Sequence, residues 1–319
     1  MENYELANRC AVLVHANEEY PSLDTTEPYG MSKRAIGSII DTADLLWNYC
    51  YSIKAPLLPL FRRRVLIDLD PGILQIGGLS TDIGLHEHDV FLTVGMKMHD
   101  RDCLVPTLGV TWHRFPPIVY LPLWSVTPPP KCSAFSTLTA WNYGTMTYSG
   151  KELSIAKRDA YCEFVDLPAR SKLSFELAAD IHPEAEAKDL ELLRSHGWTV
   201  VDPYEVAGSP VAFQHYIAKS QGEICCPKPI YRDLRTGWLS DRSAGYLASG
   251  RPVLMTETGI SDHFRTGAGL ITFQNMDDAV EAAKEISAQH ARHSEAARAF
   301  AEEFLDAKRC LPTMLAHCE

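Results

Sequence analysis

Between Lys228 and Gly269 the chain reads KPIYRDLRTGWLSDRSAGYLASGRPVLMTETGISDHFRTGAG, its densest run of Gly, Ser, Thr, Asp and Arg. Arg232, Arg235, Arg242 and Arg251 fall within this stretch of an otherwise acidic chain. Such local positive charge suits a phosphate-bearing ligand, with solvated surface salt bridges as the alternative. Ser240 or Asp241 can cap a helix whose apolar face is Ala244, Leu247 and Ala248, and Gly250 ends it as a C′ glycine does. Arg251-Pro252 then leads into a buried-looking strand, Val253-Leu254-Met255, which ends at Thr256-Glu257-Thr258-Gly259. In an open α/β sheet, ligands sit beyond the carboxyl ends of strands and against helix N-termini. Both features meet here, so this stretch is the candidate binding site.

Other residues could carry proton chemistry. Asp68-Leu69-Asp70-Pro71 ends a strand of the first half, and Asp70 is a candidate base or acceptor contact; a loop cap for backbone N–H groups is the equal alternative. His86, in His86-Glu87-His88-Asp89, is a second candidate base. The two histidines lack the i, i+4 spacing of a helical zinc site and no third ligand is placed by spacing, so no metal is expected. His15 and His113 are further candidate general bases by residue type, but a lone histidine is more often structural. Asp180, His182 and the turn Trp141-Asn142-Tyr143-Gly144 end strands of the second half, with a helix entry and an ordinary turn as the alternatives.

Composition bounds what these residues can serve. The 319 residues are 46% hydrophobic and 22% charged, an ordinary globular chain long enough for two domains. A formal net charge of −11 argues against a nucleic-acid surface and against an anionic membrane. No apolar run approaches the roughly 20 residues that span a bilayer. The opening MENYELANRC is acidic and polar, unlike a signal peptide. Nine scattered cysteines, with Cys225-Cys226 the only adjacent pair and no CxxC, fit free thiols in a reducing cytoplasm.

The elements that must position the candidates follow in chain order. Strands are predicted at Cys10–His15, Ala43–Trp47, Arg64–Asp70, Asp89–Val94 and Pro117–Leu121, with a helix carrying Ile36, Ile39 and Ile40 and a loop at residues 17–21. Pro128-Pro129-Pro130 cannot continue a helix or central strand and is the predicted linker. Beyond it come strands at Ser136–Trp141, Leu173–Ala179, Thr199–Val201, Glu223–Cys226 and Leu270–Phe273. Helices are predicted at Ala156–Val165, Glu184–His196 and Val211–Lys219, with a helical tail from Asp277 to about Asp306. Repeated strand–helix–strand units imply a parallel sheet covered on both faces.

The ordered set of a strand delivering Lys228, then SDRSAGYLASGRPVLMTETG, an RTGAGLITF strand and a DDAVEAAKEI helix resembles the C-terminal half of GT-B glycosyltransferases, in the "glycosyl transferases group 1" branch. The likeness covers roughly residues 220–305 by motif and 133–219 by pattern. It implies an α/β fold of two Rossmann-like domains with parallel sheets and helices on both faces, the N-terminal one reduced. The implied domains are 1–130 for the acceptor and 131–319 for the nucleotide-sugar donor, the last helix packing back on the first. The resemblance puts the donor diphosphate at the N-terminus of the capped helix, where free N–H groups and the helix dipole favour an anion. Ser240, Asp241 and Ser243 would stand there, with Lys228 or Arg242 pairing phosphate charge, and Thr256, Glu257 and Gly259 would face sugar or ribose hydroxyls. Two departures stand out. Many relatives carry a glutamate where this chain has Gly245, and the chain begins at what reads as the second strand of the N-terminal domain.

The resulting expectation is a cytoplasmic glycosyltransferase with a nucleotide-diphosphate sugar as donor substrate, no further cofactor and an acceptor of unknown kind. The residues allow a homodimer. A non-catalytic binding or assembly subunit and a sugar-nucleotide epimerase are the alternative functions.

Overall fold

The computed structural model describes residues 6, 9–15 and 22–319, so the loop expected at residues 17–21 lies outside the described residues. Its centre is a six-stranded sheet in the order Trp198–Val201, Phe175–Asp180, Phe135–Ala140, Gly222–Cys225, Val253–Thr256, Leu270–Phe273. Every pair in it is parallel. The chain starts in the middle, winds to one edge, then returns and winds to the other. The order therefore reverses between Phe135–Ala140 and Gly222–Cys225, which leaves a crevice beyond their carboxyl ends.

Side chains alternate across this sheet and so feed separate cores. Ile224, Leu254 and Ile271 enter one core, with Phe164, Leu193 and Ile286 of the covering helices. Cys225, Val253 and Met255 enter the other, with Ala244 and Leu247 of the Asp241–Ala248 helix. Glu223 breaks the apolar run in the fourth strand and is fully buried.

A second sheet has four strands, all parallel and in chain order: Leu46–Tyr49, Arg64–Asp68, Val90–Thr93 and Trp112–Arg114. Its Val65, Ile67 and Leu92 share the core that holds Val253 and Leu247, so one apolar body joins both sheets. The tail returns to this sheet's side. Val119 N–H donates to Leu305 O at 2.9 Å, Ala307 N–H donates to Val119 O at 3.0 Å, and His317 stacks on His113 with ring centroids 4.2 Å apart.

Several elements differ from the expectations. Ala11–Val14 pairs antiparallel with Glu27–Gly30 in a separate two-stranded sheet and is no part of the parallel one. Pro117–Leu121 forms no strand, only an isolated bridge from Val119 to Asp306, because the prolines around it have no N–H to donate. The neighbouring Trp112–Arg114 pairs instead. The expected single tail helix is divided into Met276–Ala288, His290–Phe300, a π-helical turn at Ala301–Leu305 and Ala307–Ala316. Asp306 forces the last break: its backbone is extended and its side chain caps Lys308 N–H. A hairpin, Thr145–Tyr148 with Lys151–Ser154, is inserted after the first strand of the large sheet. Its turn residues Ser149 and Gly150 both have positive φ, as a tight hairpin requires.

Gly245 has a packing explanation. A Cβ there would lie 2.8 Å from Trp124 Cη2, so the indole occupies the place of any longer side chain. Helix propensity favours Gly245→Ala by ~1 kcal/mol, whereas overpacking costs ~1–3 kcal/mol. Urea denaturation should therefore show Gly245→Ala less stable than the parent, with Trp124→Leu restoring the loss.

Candidate active site

A cleft of about 430 Å³ opens at the carboxyl ends of both sheets. From the small sheet it receives Leu69, Asp70 and Val94, which follow the second and third strands. From the large sheet it receives Lys157, Lys228, Ser240, Asp241 and Arg242. Lys157 follows the first strand and the inserted hairpin, and Lys228 follows the fourth. These are the strands that flank the crevice where the order reverses.

The Asp241–Ala248 helix points its N-terminus into the cleft, with Ser240 as the N-cap residue. First-turn N–H groups have no carbonyl partner within a helix. Here Asp241 Oδ1 accepts from Arg242 N–H at 2.8 Å and from Ser240 Oγ at 3.4 Å. The Arg242 side chain folds back over the sheet and donates from Nε to Glu223 Oε1 at 2.6 Å. A charged residue in a central strand thus acquires its reason: Glu223 holds the guanidinium at the cleft floor.

Lys228 Nζ donates to Asp70 Oδ1 at 2.8 Å, and the Tyr231 hydroxyl donates to the same oxygen. This contact crosses from one sheet's loops to the other's. Burial pushes Asp70 up, but the Lys228 charge and the hydrogen bonds from Lys228 and Tyr231 outweigh it, so its pKa is lowered. Behind it, the fully buried Asp68 accepts from Asp70 N–H at 3.0 Å, Gln75 Nε2 at 2.8 Å and Thr93 Oγ1 at 2.7 Å, which fixes the Asp70 loop. Burial pushes Asp68 up to about 6, against those hydrogen bonds.

Lys157 Nζ lies 5.9 Å from the centroid of the Trp238 ring. Burial, followed by the charges of Arg242 and Lys228, pushes its ammonium down to about 8. Cations are mutually repelled in such a cluster, and an anion among them relieves the repulsion. A bound diphosphate should therefore lose affinity as pH rises through about 8, where free Lys157 sheds its charge. Titration calorimetry with UDP across that range should show the decline, and Lys157→Met should remove it.

The cleft brings together Asp70, Lys228, Ser240, Asp241 and Arg242 among the residues singled out from sequence. Ser243 lies one residue deeper in the helix, fully buried. Thr256, Glu257 and Gly259 sit outside the lining. Glu257 bends back so that Oε1 accepts from Gly259 N–H at 2.5 Å. A Cβ on Gly259 would meet Lys97 Cδ at 2.4 Å, because the small-sheet Lys97 is laid over this loop. The Lys97 amine donates to Asp102 at 2.8 Å and also to Asp262, which ties the two halves together beside the cleft. His86 is exposed, with its ring 3.9 Å from Asp82, and does not reach the cleft. Lys157, Glu223, Tyr231 and Trp238 belong to the site without having stood out in the sequence. Glu223 carried a signal, being a charge inside an otherwise apolar strand next to a nearby Arg.

Another hollow, about 480 Å³ and lined by Ser136, Glu176, His215 and Lys219, opens at the opposite ends of the strands and lacks a comparable cation cluster. Among the described residues no group of His, Cys, Asp and Glu is placed to hold a metal ion, and no helix is long and apolar enough to cross a membrane. All nine cysteines are free thiols.

Two parallel sheets with helix-covered faces, meeting at a cleft beyond their strand ends, define the GT-B fold. Solved structures with this arrangement include an alpha-glucosyltransferase (AGT) in complex with UDP, 16% identical with a TM-score of 0.52, over 89% of this chain and 82% of that one. Anabaena Alr3699/HepE in complex with UDP-glucose is 10% identical with a TM-score of 0.53, over 88% of this chain and 82% of that one. A glycosyltransferase from Rickettsia africae is 12% identical with a TM-score of 0.52, over 89% and 78%. No protein-family model matches the chain, and no curated protein matches it in sequence.

Proposed function

We propose that the chain is a glycosyltransferase that takes a nucleotide-diphosphate sugar on the large-sheet wall of the cleft and passes the sugar to an acceptor on the small-sheet wall. The carrying observation is the convergence of Lys157, Lys228 and Arg242 on a helix N-terminus, with the carboxylates of Asp70 and Asp241 already in anion positions. Structures of the same fold hold UDP and UDP-glucose, which supports the donor class. Residues 1–130 would serve the acceptor and 131–319 the donor. The free cysteines fit a reducing cytoplasm.

In the reaction, the acceptor hydroxyl attacks the anomeric carbon. Its proton passes to Asp70, the new C–O bond forms, and the bond to the diphosphate breaks with its electron pair left on the phosphate oxygen. Lys157, Lys228 and Arg242 neutralise that leaving charge. Donor binding also primes the base: a diphosphate that engages Lys228 strips Asp70 of its counterion and makes the carboxylate more basic.

A binding subunit without turnover is the second reading, favoured by Lys97 over Gly259 and by Trp124 at Gly245. Thermal unfolding with UDP-, GDP-, TDP- and ADP-sugars tests the donor site shared by both readings. A matching nucleotide at about a hundred times its Kd should stabilise the fold by roughly 2.7 kcal/mol. Absence of any shift across the panel removes both, and a shift without turnover by the isolated chain selects the second.

A further inference from the structure

We propose that the acceptor is an uncharged alcohol or phenol with an apolar body, seated on the small-sheet wall of the cleft. The inference rests on the glycosyltransferase reading and adds the class of the second substrate. The walls differ in kind. Among the described residues, every cation of the cleft comes from the large-sheet side, whereas the facing wall is built from Leu69, Val94, Phe115, Pro117 and Ile118, with Tyr49 and Cys50 at its rim. Asp70 is the only charged residue among the described residues of that wall, and Lys228 already answers it.

The apolar residues line one wall of the same cleft. Val94 is 4% and Phe115 5% exposed, a packed floor, while Tyr49 is 43% exposed at the edge of the cleft. A sugar seated there would turn several hydroxyls toward carbon atoms and leave them without partners, which is the costly way to bury polar groups. An anionic acceptor would be drawn across to the cation wall and compete with the donor diphosphate. An apolar body instead covers the floor and leaves one hydroxyl directed at Asp70, the wall's one proton acceptor. Rings suit this place, since the exposed Tyr49 offers aromatic surface to stack on or meet edge-on.

Fluorescence titration with 2-naphthol as the apolar probe and methyl glucoside as the polar competitor tests this, on the intact chain saturated with UDP. The expected result is saturable 2-naphthol binding at least about tenfold tighter than that of methyl glucoside. Ile118→Asp should weaken 2-naphthol by about tenfold or more, and Ile118→Leu should keep it. Tyr49→Ala, at the exposed rim, gives a second reading free of any folding defect at Ile118. Methyl glucoside binding as tightly as 2-naphthol, or 2-naphthol binding untouched by both Ile118→Asp and Tyr49→Ala, overturns the proposal. UDP binding without 2-naphthol binding overturns the acceptor class alone. Binding of 2-naphthol that depends on Ile118, in a chain with no affinity for UDP, overturns the donor reading and with it the acceptor role of the apolar wall.

Discussion

Arg242→Ala is expected to weaken nucleotide binding and to destabilise the fold at the same time, by separate routes. Loss of a charge-assisted hydrogen bond to phosphate is worth ~1.5–3 kcal/mol, or roughly ten- to a hundredfold in affinity. The stability loss arises from Glu223, which is fully buried and takes its ion pair from Arg242 Nε at 2.6 Å. Removing one partner of a buried pair leaves an uncompensated charge, at a cost of ~3–5 kcal/mol. The double variant Arg242→Met with Glu223→Gln separates the effects. It removes both charges, so most of the lost stability should return in urea denaturation while UDP affinity stays low in calorimetry. Recovery of nucleotide binding in the double variant would mean that Arg242 serves the fold only.

Asp70→Asn should move binding and turnover in opposite directions. In the free protein Asp70 holds Lys228 at 2.8 Å and also accepts from Tyr231, so an arriving diphosphate must displace a carboxylate from its cation. Asparagine keeps the shape and removes the competing charge. A partly exposed pair of this kind contributes ~0.2–1 kcal/mol, so UDP should bind up to about fivefold tighter. Transfer should fall by about 10²–10⁴, because the acceptor proton loses its base. The opposition is diagnostic. A residue of purely structural importance would weaken both, and one that only contacts the donor would weaken binding first. Sugar transfer at the parental rate in Asp70→Asn would show that the acceptor proton leaves by another route.

The contrast between what was legible in the sequence and what was not follows the range of the interactions. Ser240, Asp241 and Gly250 are local signals for a helix and its ends, and the helix runs from Asp241 to Ala248 as they indicate. The apolar runs at Arg64–Asp68 and Val253–Thr256 are local too, since a strand buried on both faces needs no alternation. Lys157 was hidden because the hairpin at 145–154 separates it from the strand that carries it to the cleft. The loop at Gly259 is covered by Lys97, which reaches Asp262 from 165 residues away, and no periodicity encodes such a contact. Tyr231 and Trp238 carry no sequence signal of a site, and both belong to the core. Their rings stack at 4.6 Å, and both residues also line the cleft. The resemblance anticipated a wall for the donor; the apolar character of the facing wall comes from segments near residues 49, 69, 94 and 115–118 that only the folded chain assembles.

The most direct test is a crystal structure of the protein soaked with UDP. The diphosphate should lie at the N-terminus of the Asp241–Ala248 helix, within hydrogen-bond distance, ~2.7–2.9 Å, of Lys228 and Arg242. Asp70 should have parted from Lys228 to face the apolar wall. UDP bound instead in the hollow beside Glu176 and Lys219, or a cleft left empty with the Asp70–Lys228 pair intact at saturating UDP, would contradict the account.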